Sequence, residues 1–112
     1  MRRISASLGI LVTLGLLGAG AIGRPAAPGQ ITSVRIRDMQ FQPSSVRLKV
    51  GDSITWTNGD DRDHNVSAAD RSFDSGNLKQ GASYTYRFTK AGSFDYSCSY
   101  HPRMRGSVQV DN

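Results

Sequence analysis

The sequence of 112 residues has one cysteine, two histidines and no dense run of lysine and arginine. The single cysteine, Cys98, cannot close an internal disulfide, so the chain is not a small scaffold stapled by cystines. The basic residues give a formal net charge of +5 but are scattered, without the basic stripe of a nucleic-acid-binding protein. We therefore expect no nucleic-acid partner and a domain that is held together by packing alone.

The N-terminus also lacks an apolar run of the ~20 residues that a membrane span needs. Arg2 and Arg3 precede a short apolar stretch that serines and glycines interrupt and that ends in Ala19-Gly20-Ala21. This order is typical of a secretory signal peptide. We predict that residues 1–21 are removed and that the protein is periplasmic, with no stable membrane insertion. A retained anchor is the alternative, and the arginine pair leaves both Sec and twin-arginine export open.

The segment 22–30 is rich in Pro, Ala and Gly and is predicted to be a flexible leader. The folded domain is then residues 31–112, a size that folds alone with a modest core. Without Arg2 and Arg3, the 14 basic residues fall to 12 against 9 acidic ones. This mild positive charge favours an acidic protein partner through weak electrostatic steering. We expect the domain to be a monomer.

Beyond residue 30 the sequence has no sustained helical periodicity, and apolar residues alternate with polar ones instead. The alternating segments are SVRIR, SVRLKV, SITWT, SYTYRF, GSFDYSC and GSVQV, with Gly, Asn and Asp between them. Such spacing predicts an all-β domain, an antiparallel β-sandwich or barrel whose last strand begins near Gly106. Only the segment 66–80 leaves room for a short helical turn. The core is predicted to contain Phe41, Trp56 and Phe94.

The segment CSYHPRM, residues 98–104, combines three side chains that bind soft metal ions. The alternation before it turns the thiol of Cys98 inward, at the end of a strand. His101 and Met104 follow at intervals of three residues in the predicted loop. The other histidine, His64, lies in a loop after the SITWTN strand. A sandwich can bring these two loops together at one end of the domain.

Thiolate, imidazole and thioether together suit copper, which must be held as both Cu(I) and Cu(II). Two His and one Cys with a weak, distant Met form the arrangement of blue-copper electron-transfer sites. We therefore predict that His64, Cys98, His101 and Met104 bind one copper ion and that the protein shuttles single electrons. Zinc is a poor alternative because it rarely accepts methionine. A dinuclear copper centre would need a second cysteine.

Two other functions use the same residues. A periplasmic copper carrier or chaperone would need the same ligands without a redox cycle. A thiol enzyme would use Cys98 as the nucleophile and a histidine as its base. No third orienting residue and no oxyanion loop accompany that pair, so we do not predict an enzyme. The acidic residues Asp60, Asp61 and Asp63 lack a calcium-loop pattern and are interpreted as a solvated loop.

Three stretches also carry a resemblance to a known family. They are FQPSSVRLKVGDSITWTN, then HNV, then GSFDYSCSYHPRMRGSVQV. Through them residues 31–111 resemble the cupredoxins, most closely the amicyanin and plastocyanin-like group. The resemblance implies a Greek-key β-sandwich, the same four copper ligands and single-electron transfer between larger redox proteins. It also implies that Asn65 braces the two copper-bearing loops.

The sequence departs from this family beside the ligand His101. Cupredoxins of this group usually surround that histidine with a small apolar patch. Here Tyr100 and Arg103 occupy that region, and Arg105 follows. We expect redox-protein partners to dock near His101, where the arginines would meet an acidic surface.

Overall fold

The computed structural model describes residues 29–112, and in this range the chain forms eight strands and no helix. No helix of the described range therefore has the length and apolar character of a membrane span. The signal peptide predicted for residues 1–21 and leader residues 22–28 lie outside the described residues and stay predictions. The strands are β1 (Ile31–Arg37), β2 (Gln40–Gln42), β3 (Ser45–Lys49), β4 (Ser53–Asn58), β5 (Ser67–Ala68), β6 (Ser83–Arg87), β7 (Gly92–Cys98) and β8 (His101–Asp111).

The strands form two four-stranded sheets in the orders β2-β1-β4-β6 and β3-β8-β7-β5. The chain crosses repeatedly between the sheets, so the predicted all-β sandwich is confirmed. The pairing is not purely antiparallel, however, because β1 pairs with β4, and β3 with β8, in parallel. A short hairpin joins only antiparallel neighbours, whereas parallel neighbours need a crossover. Here each crossover runs through the opposite sheet, which returns the chain in its original direction.

The alternation of apolar and polar residues sets which face of each strand is buried. In β4, Ile54 and Trp56 are both 0% exposed and point into the core. The intervening Thr55 points outward, and its hydroxyl lies 2.7 Å from that of Thr85 on β6. A shift of one residue would exchange these two faces, so burial of the tryptophan fixes the register.

The core is an aromatic cluster around Trp56. Its ring lies 5.4 Å from that of Tyr96, 5.6 Å from that of Phe73 and 5.7 Å from that of Tyr84, measured between centroids. Phe41 is buried as predicted, whereas Phe94 is only half-buried against the cluster. The buried apolar set includes Val34, Ile36, Phe41, Leu48, Ile54, Trp56, Val66, Phe73, Leu78, Phe88, Tyr96, Cys98, Met104, Val108 and Val110.

The structure differs from the sequence prediction at two places. β8 begins at His101 and not near Gly106, because a register shift after Ser97 pairs Cys98 with His101 and the ladder continues from there. The segment 66–80 forms no helical turn. It contains β5 and takes part in two isolated bridges, Ser67 with Asp74 and His64 with Leu78. Several of its backbone hydrogen bonds join residues of the segment itself, such as the N–H of Ala68 with the carbonyl of Phe73.

Tyr96 packs against the backbone of the neighbouring strand. It lies opposite Gly106, and a Cβ atom at that glycine would overlap the tyrosine ring. The residue is 2% exposed, and burial raises the pKa of Tyr96 to about 12 from 10.0. The indole N–H of Trp56 lowers this pKa slightly, but neither polar atom has a well-formed hydrogen bond within the described residues.

We expect Tyr96 to make the protein sensitive to alkali. Between pH 10 and pH 12 the unfolded chain ionises this phenol and the folded chain does not. The contribution of the neutral Tyr96 phenol to the free energy of unfolding is therefore complete below pH 10 and is lost as the pH rises through 12. Over this range the free energy of unfolding should fall by about 2–3 kcal/mol more in the wild type than in Tyr96→Phe. Denaturant titrations at several pH values measure the difference, and parallel declines would contradict this assignment.

Candidate metal centre

The loop after β4 and the turn after β7 meet at one end of the sandwich. Cys98 is 0% exposed, and its Sγ lies 3.8 Å from Nδ1 of His64, which is also 0% exposed. An ion bonded to nitrogen at about 2.0 Å and to sulfur at about 2.3 Å requires a separation below about 4.3 Å. These two atoms are therefore spaced to share one metal ion.

Backbone hydrogen bonds hold His64 in place before any metal is considered. Its N–H donates to the carbonyl of Leu78 at 3.1 Å, and the N–H of Leu78 donates back at 2.8 Å. The buried amide of Asn58, at the end of β4, donates to the carbonyls of Arg62 and Leu78 at 2.7 and 2.9 Å. Its oxygen accepts from the N–H of Asp60 at 2.9 Å. The loop is thus fixed from within by one buried asparagine.

The carboxylate of Asp60 holds the outer edge of the histidine ring. Its Oδ2 lies 2.9 Å from Nε2 of His64, and its side chain is 12% exposed. Burial alone would raise the pKa of Asp60, but bonds from the N–H of Met39, from His64 and from the N–H of Asp38 outweigh burial and lower it. A carboxylate only accepts hydrogen bonds, so this contact suits a neutral ring with its proton on Nε2. The Nδ1 lone pair is then left facing the sulfur of Cys98.

The prediction that Asp60, Asp61 and Asp63 form a solvated loop is wrong for Asp60 alone, whose carboxylate is largely buried against His64. Asp61 and Asp63 are exposed, as predicted. The spacing of four residues between Asp60 and His64 is the one signal in the sequence that could have suggested the contact, and it is weak outside a helix.

Asn65 joins the two loops across the site. Its backbone N–H donates to Sγ of Cys98 at 3.4 Å, and its side-chain Oδ1 accepts from the N–H of Ser99 at 2.7 Å. The brace that the family resemblance implied is therefore present. The two bonds of Asn65 therefore hold the sulfur of Cys98 and the turn that follows it against the loop of His64.

The other two predicted ligands, His101 and Met104, lie on β8. The ring of His101 is half-buried, with its centroid 5.2 Å from that of His64. Met104 is 4% exposed, and both residues line a groove of about 640 Å³ beside Met39. Within residues 29–112, no three His, Cys, Asp or Glu side chains form a complete metal cage. The four-ligand set therefore stays a prediction, supported by the spacing of His64 and Cys98.

The rim of the groove is polar and basic. Tyr100 is 48% exposed, and its hydroxyl donates to Oδ1 of Asn77 at 2.9 Å. The amide of Asn77 donates in turn to Asp63 at 2.9 Å. Arg103 and Arg105 are exposed, and neither takes part in an ion pair within the described region. The walls of the groove beside His101 are largely apolar and include Met39, Pro102 and Met104, so the polar and basic residues lie at its rim.

We expect Asn65→Ala to destabilise the protein through the loss of the brace. The N–H of Ser99 would lose its partner in a partly buried position, at about 1–3 kcal/mol. Denaturant unfolding of the metal-free protein measures this change. Asn77→Ala is the matched control, because Asn77 is exposed and should change the stability by less than about 1 kcal/mol. Equal losses in the two variants would contradict the role of Asn65.

Comparisons with known proteins agree with this fold. Residues 29–111 match the family model of the copper-binding proteins, plastocyanin/azurin family. Amicyanin-alpha of Methylorubrum extorquens is 34% identical over 113 residues, with 96% of this chain and 95% of that protein covered. A Cu(I) structure of an amicyanin variant has a TM-score of 0.68 at 32% identity, covering 72% of this chain and 82% of the other. A purple cupredoxin from Nitrosopumilus maritimus has a TM-score of 0.68 at 28% identity, covering 71% and 99%.

Proposed function

Because the chain belongs to the plastocyanin/azurin family of copper-binding proteins, we propose that it carries single electrons between redox proteins through one copper ion. The observation that carries this proposal is the buried pair of His64 and Cys98, 3.8 Å apart and held by protein contacts on both sides. We assign the four ligands as His64, Cys98, His101 and Met104. We also propose export to the periplasm, supported by the charged and apolar pattern of residues 1–21.

The chemistry of the donors fits copper. Cys98 is a free, buried cysteine, and its sulfur accepts a backbone N–H from Asn65. Nδ1 of His64 faces the sulfur of Cys98, and the thioether of Met104 is buried at the groove. A thiolate, two imidazoles and a weak thioether are the ligands of blue-copper sites. Copper, when bound, would supply a centre that accepts and releases one electron.

The folded protein holds the proposed ligands in fixed positions. Hydrogen bonds fix both the backbone and the ring of His64, and the turn that carries Cys98 is hydrogen-bonded to Asn65. None of these contacts uses Nδ1 of His64, and the sulfur of Cys98 accepts a single backbone N–H, from Asn65. A frame that does not depend on the metal's valence should move little when the valence changes, which favours electron transfer.

A copper chaperone would need the same donors, but complete burial of Cys98 and His64 hinders the transfer of the ion to a partner. We therefore favour electron carriage over metal delivery and over enzymatic chemistry. Visible spectra and voltammetry of the copper-loaded protein separate the first two functions. An intense thiolate-to-copper band with reversible cycling supports the proposal, whereas a colourless protein that donates Cu(I) without cycling would overturn it.

Replacing Cys98 with Ser should abolish the visible band and leave the fold intact. The hydroxyl of serine has nearly the same volume but does not ionise to a thiolate near neutral pH. Absorption and electron paramagnetic resonance spectra report the site, and circular dichroism reports the β-sandwich. Ser97→Ala, beside it in β7, is the control and should keep the band. A band of unchanged intensity in Cys98→Ser would refute the ligand assignment.

The partner is proposed to present an acidic surface to the arginines beside His101. Arg103 lines the same groove as the half-buried His101, and Arg105 is exposed two residues further along β8; the acidic residue Asp38 also lines this groove. Charge complementarity at such a rim acts mostly on the rate of association. This proposal concerns the class of partner and not its identity.

Arg103→Glu should slow electron transfer to an acidic redox protein by about tenfold or more at low salt, because it reverses a charge at the docking rim. Lys90→Glu is the matched control, since Lys90 lies before β7, at the end of the sandwich away from Cys98. Stopped-flow rates over a range of ionic strength measure the effect. A rate that falls equally in the two variants would show that only net charge matters.

A further inference from the structure

The carboxylate of Asp60 has three hydrogen-bond partners, which lie on two different parts of the chain. Oδ1 accepts from the N–H of Asp38 at 2.7 Å, and Oδ2 accepts from the N–H of Met39 at 3.0 Å. Oδ2 also lies 2.9 Å from Nε2 of His64. The geometry points to Asp60 as a positioning residue that sets the tautomer and orientation of His64 and locks them to the β1–β2 turn. This inference rests on the proposed function, in which His64 is a metal ligand.

The β1–β2 turn has an unusual backbone conformation. β1 and β2 pair Arg37 with Gln40, so Asp38 and Met39 form a two-residue hairpin loop. Both have positive φ, 54° and 59°, in the left-handed region. Hairpins of this type prefer Asn-Gly or Asp-Gly, because a Cβ is unfavourable in the left-handed region unless a short polar side chain carries it. Asp38 suits the first position, but Met39 occupies the position that favours glycine, so the turn gains from support outside its own chain segment.

Asp60 supplies that support. Two successive N–H groups of a left-handed turn point the same way and make a concave donor pair that suits an anion. The carboxylate of Asp60 occupies this position with one oxygen on each N–H. Met39, held by one of these bonds, lines the groove that contains His101 and Met104. One carboxylate therefore fixes both a wall of the groove and a ligand.

The contact with Asp60 also bears on which nitrogen of His64 carries the proton. A neutral imidazole carries its proton on one nitrogen only. If that proton were on Nδ1, the ring could not bind a metal through the atom that faces Cys98. An acceptor at Nε2 removes this tautomer, because a carboxylate and an imidazole lone pair repel each other. Carboxylates beside a ligating histidine also raise its basicity and hold the ring orientation.

Asparagine should not replace Asp60 well. One of its two polar atoms is an NH₂ group, which would face either the turn N–H of Asp38 or Nε2 of His64. In the first orientation two donors oppose each other. In the second orientation the amide donates to Nε2, which stabilises the tautomer with its proton on Nδ1, and it also opposes the N–H of Met39 that Oδ2 accepts in the wild type. The substitution therefore tests the acceptor role with almost no change of volume.

The experiment compares Asp60→Asn, Asp60→Glu and Asp61→Asn with the wild type. Asp61 is the neighbouring exposed aspartate, so Asp61→Asn removes the same charge without touching His64. Imidazole ¹⁵N NMR of the metal-free protein reads the tautomer of His64. Titration with Cu(II) and voltammetry then read the affinity and the reduction potential.

We expect the wild type to hold the proton on Nε2, and Asp60→Asn to shift it towards Nδ1. Copper affinity should fall by about 10–100-fold in Asp60→Asn, the usual effect of removing such a partner. The reduction potential should rise, because a negative charge near the ion favours its oxidised state. Asp60→Glu should restore part of each property, and Asp61→Asn should leave the tautomer unchanged with an affinity within about twofold of the wild type.

Two results would overturn the inference. One is a wild-type His64 with its proton on Nδ1, which needs no variant to fold. The other is an Asp60→Asn protein that keeps the Nε2 proton and the wild-type affinity. If the wild type bound no copper while the tautomer followed Asp60 as expected, the proposed function would fail and the positioning of His64 would still stand.

Discussion

The contact between the β4–β5 loop and the β7–β8 turn is the constraint on which the candidate site depends. Each loop alone presents one buried donor, His64 or Cys98, with nothing to bind. Asn65 closes the two loops on each other through a side-chain bond to Ser99 and a backbone bond to the sulfur. The aromatic core below them fixes the ends of β4 and β7 at one edge of the sandwich. Packing therefore sets the place of the site, and hydrogen bonds set its geometry.

The contacts around His64 form a hierarchy in which each level fixes the next. Asn58, at the end of β4, shapes the loop through its side-chain amide, and the loop in turn delivers Asp60 to the histidine ring. Asp60 reaches outward to the β1–β2 turn, which belongs to the same sheet as β4. A polar buried chain of this kind fixes one geometry because each member loses its partner if the next one moves. The scaffold is thus prepared for a metal whose own preferences change with its valence.

The strands could be predicted well from the sequence because one face of each strand is apolar and the other is polar. In β4 and β7 every second residue is apolar, and no helical arrangement buries such a pattern. The closeness of His64 and Cys98 could also be predicted, since the inward alternation placed the thiol at the end of a strand. The parallel pairing of β1 with β4 and of β3 with β8 could not be predicted, because alternation indicates which face of a strand is buried and not which strand lies beside it. The start of β8 was misplaced for a related reason: residues 101–105 do not alternate clearly, yet the hairpin with β7 extends through them.

Asp60 was missed because its role depends on three partners that are distant in sequence or in unusual conformations. The sequence Asp38-Met39 does not predict two successive left-handed residues, since that conformation is usual for glycine, asparagine or aspartate and not for methionine. The carboxylate and the turn stabilise each other. The turn tolerates its two residues because the carboxylate accepts both of their N–H groups, and the carboxylate is held in place because the turn donates them. A local rule broken without a local reason is often a sign of a functional constraint.

The burial of the four proposed donors is unequal, and this asymmetry bears on how an electron would leave. His64, Cys98 and Met104 are almost fully buried, whereas His101 is half-buried at the groove. Electron transfer weakens with distance through protein, so a docked partner gains most by approaching the donor nearest to solvent. The same edge carries Tyr100 and the exposed arginines, whereas the opposite ring nitrogen of His64 is closed off by Asp60. The contacts that hold His64 in place thus also leave His101 as the natural path between the site and a partner.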